Sequence, residues 1–221
     1  MKDIQKELYD YLLNEGASDV GFCKATDGDF GDCKYAVSVV VRLSDAIVDE
    51  INGAPTHTYF NHYRTVNALI DSLLLKAGLF LQKKGYRYIT VAASQSINKD
   101  GWNYNGRYSH KKAAVLSGLG TVGKSSLFLH KDFGARVRLG TVFTDCEFDV
   151  PTVFPESPCK ECTLCVDACP SGAISGKQWT PDVTREDIFD AQKCSEYMKK
   201  HFQNIGRGAV CGVCMKVCPY K

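Results

Sequence analysis

Proline is scarce in this chain, at 7 of 221 residues, and glycine is unremarkable at 19. With 44% hydrophobic and 24% charged residues, this excludes a disordered or collagen-like chain and leaves a globular one, long enough for one domain or for a domain plus a small module. Long hydrophobic runs are missing too. The most aliphatic short stretch, residues 36–41, is broken by Ser38, and the leucine-rich stretch around Leu73 carries Asp71 and Lys76, so no apolar segment of the ~20 residues that span a bilayer is expected. The opening MKDIQKELYDYLLNEG is charged and amphipathic, without the apolar core and cleavage site of a secretory signal. The expectation is a soluble, cytoplasmic protein with no membrane partner.

Cysteine is the abundant residue, at 11. The first 158 residues hold only Cys23, Cys33 and Cys146, and the other eight lie between Cys159 and Cys218. In a reducing compartment, dense and closely spaced cysteines read as metal ligands rather than disulfides. Cys159, Cys162, Cys165 and Cys169, followed by Pro170, reproduce the C-x2-C-x2-C-x3-C-P run of bacterial ferredoxins. Cys211, Cys214 and Cys218, followed by Pro219, form a second run, with Cys194 displaced upstream by an insertion. In such runs the fourth cysteine ligates the other cluster. The expected sets are therefore Cys159, Cys162, Cys165 and Cys218 for one 4Fe-4S cluster, and Cys169, Cys194, Cys211 and Cys214 for a second. Zinc sites use four ligands in two pairs and leave the second Cys-Pro ending unexplained. The three remaining cysteines read as small buried hydrophobes.

The body preceding this module reads as layered α/β structure. Ile4, Leu8, Tyr11 and Leu12 fall at helical spacing before Gly16, predicting a helix over residues 2–15. Strands are expected at 19–23, 35–43, 86–93 and 136–144, the last alternating with Val137, Leu139, Thr141 and Phe143 on one face. A long helix is expected from about Thr56 to Lys83, a polar loop over 94–106 and a short helix over 108–117. Three prolines, Pro151, Pro155 and Pro158, mark a break, which divides the chain into an α/β cofactor-binding domain, 1–148, and a ferredoxin-like two-cluster domain, 149–221. The fold class expected is α+β.

The net charge is only +2, but residues 107–138 hold seven basic residues against one acid. Inside that window, GLGTVGKS at 118–125 satisfies two nucleotide-binding patterns. The strand that should precede such a loop is absent, and too little chain follows for a mononucleotide sheet, so ATP driving through Lys124 is the lesser reading. What survives is a glycine loop whose amides, with Lys124, suit an anionic or amide-rich ligand.

The succession SHKKAAVLSGLGTVGKSSL, then RVRLGTVFTD, then the two cysteine runs resembles epoxyqueuosine reductases and the related reductive dehalogenases. That resemblance implies an N-terminal domain related to flavin reductase-like folds that binds cobalamin or another corrinoid. It also implies two 4Fe-4S clusters that supply it with electrons from a ferredoxin or flavodoxin, and an acidic side chain as proton donor. Arg107, Gly118, Gly120, Gly123, Lys124, Ser125 and Asp145 are then the expected cofactor contacts, and Tyr104, Tyr108 and His110 the candidate proton donors. Ungapped counting puts the family's acidic donor near Tyr104, at a position where no carboxylate stands, and Ser125 replaces the usual Asn. The long C-terminal part that helps hold tRNA has no counterpart, so a small molecule or a corrinoid protein is expected as acceptor in place of tRNA. A non-catalytic electron carrier is the alternative.

Overall fold

The computed structural model describes residues 2–97, 101, 104–152, 154–206 and 210–221. The expected 94–106 loop falls partly outside them. The chain is a mixed α/β protein whose internal contacts divide it into two compact units: 1–42, 66–121 and 138–155 form the first, 43–65, 122–137 and 156–221 the second. The linear boundary at 148/149 stands close to the last of these divisions. Two earlier stretches also belong to the second unit, because residues distant in sequence supply its packing.

The first unit is built on a four-stranded sheet. Helix α1, Asp3–Asn14, buries Leu8 and Leu12 and also Gln5. The Gln5 amide is satisfied by the backbone of Asp149, donating to its carbonyl at 3.0 Å and accepting from its N–H at 2.8 Å. That pairing fixes the segment leaving the sheet against the first helix. Strands β1, Asp19–Lys24, and β2, Tyr35–Arg42, pair antiparallel with Asp19 opposite Val40. After helices α2, Asp45–Asp49, and α3, His57–Lys83, comes β3, Tyr88–Val91. Helix α4, His110–Leu116, leads to two short strands, β4, Gly120–Val122, and β5, Phe128–His130, and then to β6, Val137–Thr144. The order in the main sheet is β1-β2-β6-β3, with β3 antiparallel to β6.

The alternation expected along β6 is not what the structure has. Every residue of β6 except Arg138 is buried, because β6 lies inside the sheet and both of its faces are covered. Helix α3 covers one of them. A Cβ on Gly140 would stand 2.4 Å from the Ile70 side chain, so the helix closes onto the strand where a side chain is missing. By length and composition α3 is apolar enough to cross a bilayer, contrary to expectation, but Ile70, Leu73, Leu74, Ala77 and Leu81 are buried within the protein. Cys23 and Cys33 sit in a core cluster with Phe30, Ala113 and Phe143, and Cys146 is buried as well.

The second unit contains α2, the start of α3, β5 and four short helices. These are α5, Leu164–Asp167, α6, Arg185–Ile188, α7, Ala191–Phe202, and α8, Val213–Lys216. Helix α8 packs against α5 and against α2. Caps set the boundaries: Asp190 accepts the Lys193 N–H at the start of α7, and Thr184 with Asp187 forms a capping box on α6.

Candidate metal centre

The cysteines of the second unit are arranged by two similar turns. Cys159, Cys162 and Cys165 wind into α5 and Cys169 follows it; Cys211 and Cys214 wind into α8 and Cys218 follows it. The winding is tight: the Cys162 N–H donates to the Cys159 carbonyl at 2.7 Å, and Lys160 between them is left-handed at φ +33°. Because α5 and α8 pack together, each run's last cysteine reaches the other run. Cys165 neighbours Cys159, Cys218 and Cys162, whereas Cys194 neighbours Cys211 and Cys169. A cavity is lined by Cys159, Cys162, Cys165 and Cys218 together with Ser125, Leu129, Pro219 and Tyr220.

All eight are free thiols. Burial, followed by neighbouring thiols, pushes Cys165 up to about 11 and Cys194 up to about 12. Such thiols stay protonated until a metal displaces the proton, so metal binding here releases protons and weakens on acidification. Cys169 is the exception. Burial opposes its ionisation, but the Ser171 hydroxyl and the N–H groups of Ala173, Ser171 and Gly172 bring it below the ordinary thiol range. An all-thiol donor set of four plus four fits two 4Fe-4S clusters.

The end of the glycine loop, from Gly123 to Ser125, is part of this site. Gly118, at φ +69°, ends α4: its N–H donates to Val115 at 2.9 Å and that of Leu119 to Ala114 at 3.2 Å, the double bond of a glycine-terminated helix. The chain order is therefore helix, loop, strand, with Gly120 opening β4, whereas a phosphate loop needs strand, loop, helix. Gly123 backs onto the first cysteine set, where a Cβ would lie 3.3 Å from the Cys159 sulfur. Lys124 is only 8% exposed, and its ammonium donates to the carbonyls of Lys160 at 2.5 Å and Cys162 at 3.3 Å. The lysine of the apparent nucleotide motif thus ties down the cysteine loop. Ser125, expected as a corrinoid contact, lines the cysteine cavity.

The other candidates belong to the first unit. The Tyr108 hydroxyl donates to Asp27 at 3.0 Å, and Lys112 holds the other Asp27 oxygen. Burial and then Asp27 push the Tyr108 phenol above its ordinary range. Arg107 lies over the Phe30 ring, 4.7 Å from its centroid, and Phe30 also meets the Tyr108 ring. Tyr104 is partly buried with a left-handed backbone, φ +56°. The Asp145 carboxylate accepts the Arg87 N–H at 2.9 Å and Nε at 2.8 Å.

His110 is turned inward. Its ring nitrogens meet the Thr141 hydroxyl at 2.8 Å and the Ala92 carbonyl at 3.0 Å, which fixes a neutral tautomer with the proton on Nε2. Burial lowers its pKa below 6.5. The unfolded chain then takes up a proton that the fold refuses, so the contribution of His110 to stability is complete above pH ~6.5 and is lost as pH falls. The expected result is a denaturant midpoint that declines below pH ~6.5 in the parent and less steeply in His110→Gln, as followed by circular dichroism. An unchanged slope would contradict the assignment.

Two residues escaped the sequence reading. Arg136 was visible only as one charge in the basic window, and Tyr220 as a residue beyond the last Cys-Pro. The structure places Tyr220 in the lining of the first cysteine cavity and Arg136 next to the residue that holds it: the Ala135 N–H donates to the Tyr220 carbonyl at 3.1 Å, and the Tyr220 hydroxyl to that of Pro158 at 2.6 Å. No local spacing signals such pairings.

Two sets of four thiols on one short module define a double-cluster iron-sulfur protein, and residues 158–221 match the family model for a 4Fe-4S double cluster binding domain. An epoxyqueuosine reductase of Lactococcus garvieae is 32% identical over 118 residues, covering 48% of this chain and 30% of the relative. A tetrachloroethene reductive dehalogenase of Desulfitobacterium hafniense is 33% identical over 156 residues, covering 66% of this chain and 26% of the relative. Among solved structures, an epoxyqueuosine reductase with a modified tRNA stem loop matches at TM-score 0.68 and 19% identity, over 98% of this chain and 65% of that one. A catabolic reductive dehalogenase with 3-bromo-4-hydroxybenzoic acid matches at TM-score 0.71 and 23% identity, over 97% of this chain and 31% of that one. The chain is similar in sequence to epoxyqueuosine reductases and reductive dehalogenases, and it shares their fold. It spans about a third of the length of the curated relatives it matches.

Proposed function

We propose that this protein is an iron-sulfur reductase of the cytoplasm that relays single electrons, received from a ferredoxin or flavodoxin, through two 4Fe-4S clusters to a corrinoid that reduces a small molecule. The observation that carries the reading is the exchange of the last cysteine between the two runs, which holds two four-thiol sets on adjoining turns. A cluster, when bound, takes up and gives back one electron. The protein's own part is to hold it: eight thiolates grip the metal, the Lys124 ammonium braces the loop from Cys159 to Cys162, and Leu129 and Pro219 keep water from the first set.

Among the residues named for the corrinoid and for proton donation, three side chains have protein partners. Lys124 is bound to the cysteine loop, Asp145 to Arg87, and His110 to Thr141 and Ala92. The same observation favours a second reading, in which this chain reduces a corrinoid held by another protein. In support of a corrinoid in either place, one structural relative, at TM-score 0.70 and 22% identity over 97% of this chain, is a reductive dehalogenase described with B12-dependent dehalogenation. In this reading the first unit is a flavin reductase-like domain. Titration of the cluster-loaded protein with cob(II)alamin, followed by EPR, decides between the two readings. Loss of base coordination on binding is expected of the reductase, and an unchanged spectrum assigns the protein to electron transfer.

A further inference from the structure

Arg136 is the largest fully buried side chain, at 0% exposure. A guanidinium stays charged under all ordinary conditions, and burying one is costly unless its donors are met. Nη1 donates to the Asp45 carbonyl at 3.1 Å and to Asp45 Oδ1 at 3.0 Å, and Nη2 donates to Asp49 Oδ1 at 2.7 Å. Nε is buried and has no partner among the described residues. An apolar side chain would fill the same volume without an orphaned donor, so anchoring α2 does not account for the charge.

The surroundings point to the first cysteine set. Residues 134–136 run along the segment that follows Cys218, where the Ala135 N–H donates to the Tyr220 carbonyl at 3.1 Å. Lys216, two residues before Cys218, shares the Asp49 carboxylate at 2.8 Å. The Asp45 and Asp49 side chains are 46% and 42% exposed, so water screens their charges more than it screens that of the buried guanidinium they pair with.

We propose that Arg136 is a positioning residue for electrons: its buried charge raises the reduction potential of the cluster held by Cys159, Cys162, Cys165 and Cys218. The step concerned is uptake of one electron from a low-potential donor of the ferredoxin or flavodoxin class, which takes the cluster core from 2+ to 1+ with no proton or bond exchanged. A nearby cation stabilises the more negative product and so favours the step. The inference rests on the two-cluster reading above.

The test is an EPR-monitored redox titration of the anaerobically reconstituted protein with dithionite, comparing the parent with Arg136→Met, Arg136→Lys and Asp49→Asn. Cys214→Ser identifies which signal belongs to the second cluster. With iron still at about eight per chain, Arg136→Met should lower the first cluster's one-electron equilibrium at least tenfold, about 59 mV, and leave the second unmoved. Arg136→Lys should recover most of the shift, and Asp49→Asn should move it the opposite way. Equal shifts of both clusters, no shift at full iron content, or a lysine variant no better than methionine would overturn the proposal. Should Arg136→Met fail to fold, a rise in Asp49→Asn supports it and no rise overturns it. Parent protein with iron far below eight overturns the two-cluster reading itself, a result distinct from unmoved potentials.

Discussion

Cys165→Ser and Cys218→Ser should each lower bound iron from about eight to about four per chain, and the double variant should lose no more than either alone. The two residues are far apart in sequence, but both line one cavity with Cys159 and Cys162. Once one ligand of a four-thiol set is gone, removing another from the same set has little left to break. Cys169→Ser paired with Cys214→Ser should behave in the same way, because both belong to the set with Cys194 and Cys211. The mixed pair, Cys165→Ser with Cys214→Ser, should instead lose nearly all iron. If each run ligated its own cluster, Cys165 with Cys218 would be the pair that strips both. Iron analysis after anaerobic reconstitution separates the two arrangements.

Gly134→Ala should be the most damaging small substitution in the second unit. Gly134 has φ +52°, a region that costs an ordinary residue about 1–2 kcal/mol. The space is also filled: a Cβ would stand 1.8 Å from the Tyr220 carbonyl oxygen, a backbone atom that cannot swing aside. Relief requires the last residues to move, and with them the Ala135 to Tyr220 hydrogen bond and the seat of Cys218. The expected outcome is loss of the first cluster, with about half the parent's iron, and a lower thermal midpoint. Gly31→Ala is the control, since Gly31 has a similar φ of +59° but nothing within 4 Å of the added carbon. It should retain full iron, and comparable loss in both variants would refute the clash.

These expectations also show what the sequence could and could not reveal. The cysteine sets were legible because cluster ligation is read from local spacing, and the exchange rule supplies the one long-range step. Helix α1, strand β2 and the long α3 were legible because each has a strong apolar period. The burial of β6 was not: its alternating letters describe a half-covered strand, and only the pairing order shows that both faces are covered. Lys124 was misread for a related reason. Its motif is defined by sequence, but what the ammonium touches depends on a loop 36 residues further on. His110 drew attention as a titratable group beside a glycine loop, whereas its partners, Thr141 and Ala92, come from strand β6 and the segment just beyond β3. Asp45 and Asp49, one turn apart on α2, carry no signal that their shared partner is Arg136.

The central claim is that eight cysteines hold two 4Fe-4S clusters in exchanged sets. Its most direct test is the iron and acid-labile sulfide content of protein purified and reconstituted without oxygen, with Mössbauer spectroscopy to identify the iron species. The account predicts about eight iron and eight sulfide per chain, all in cubane clusters. About four iron, or zinc in place of iron, would contradict it.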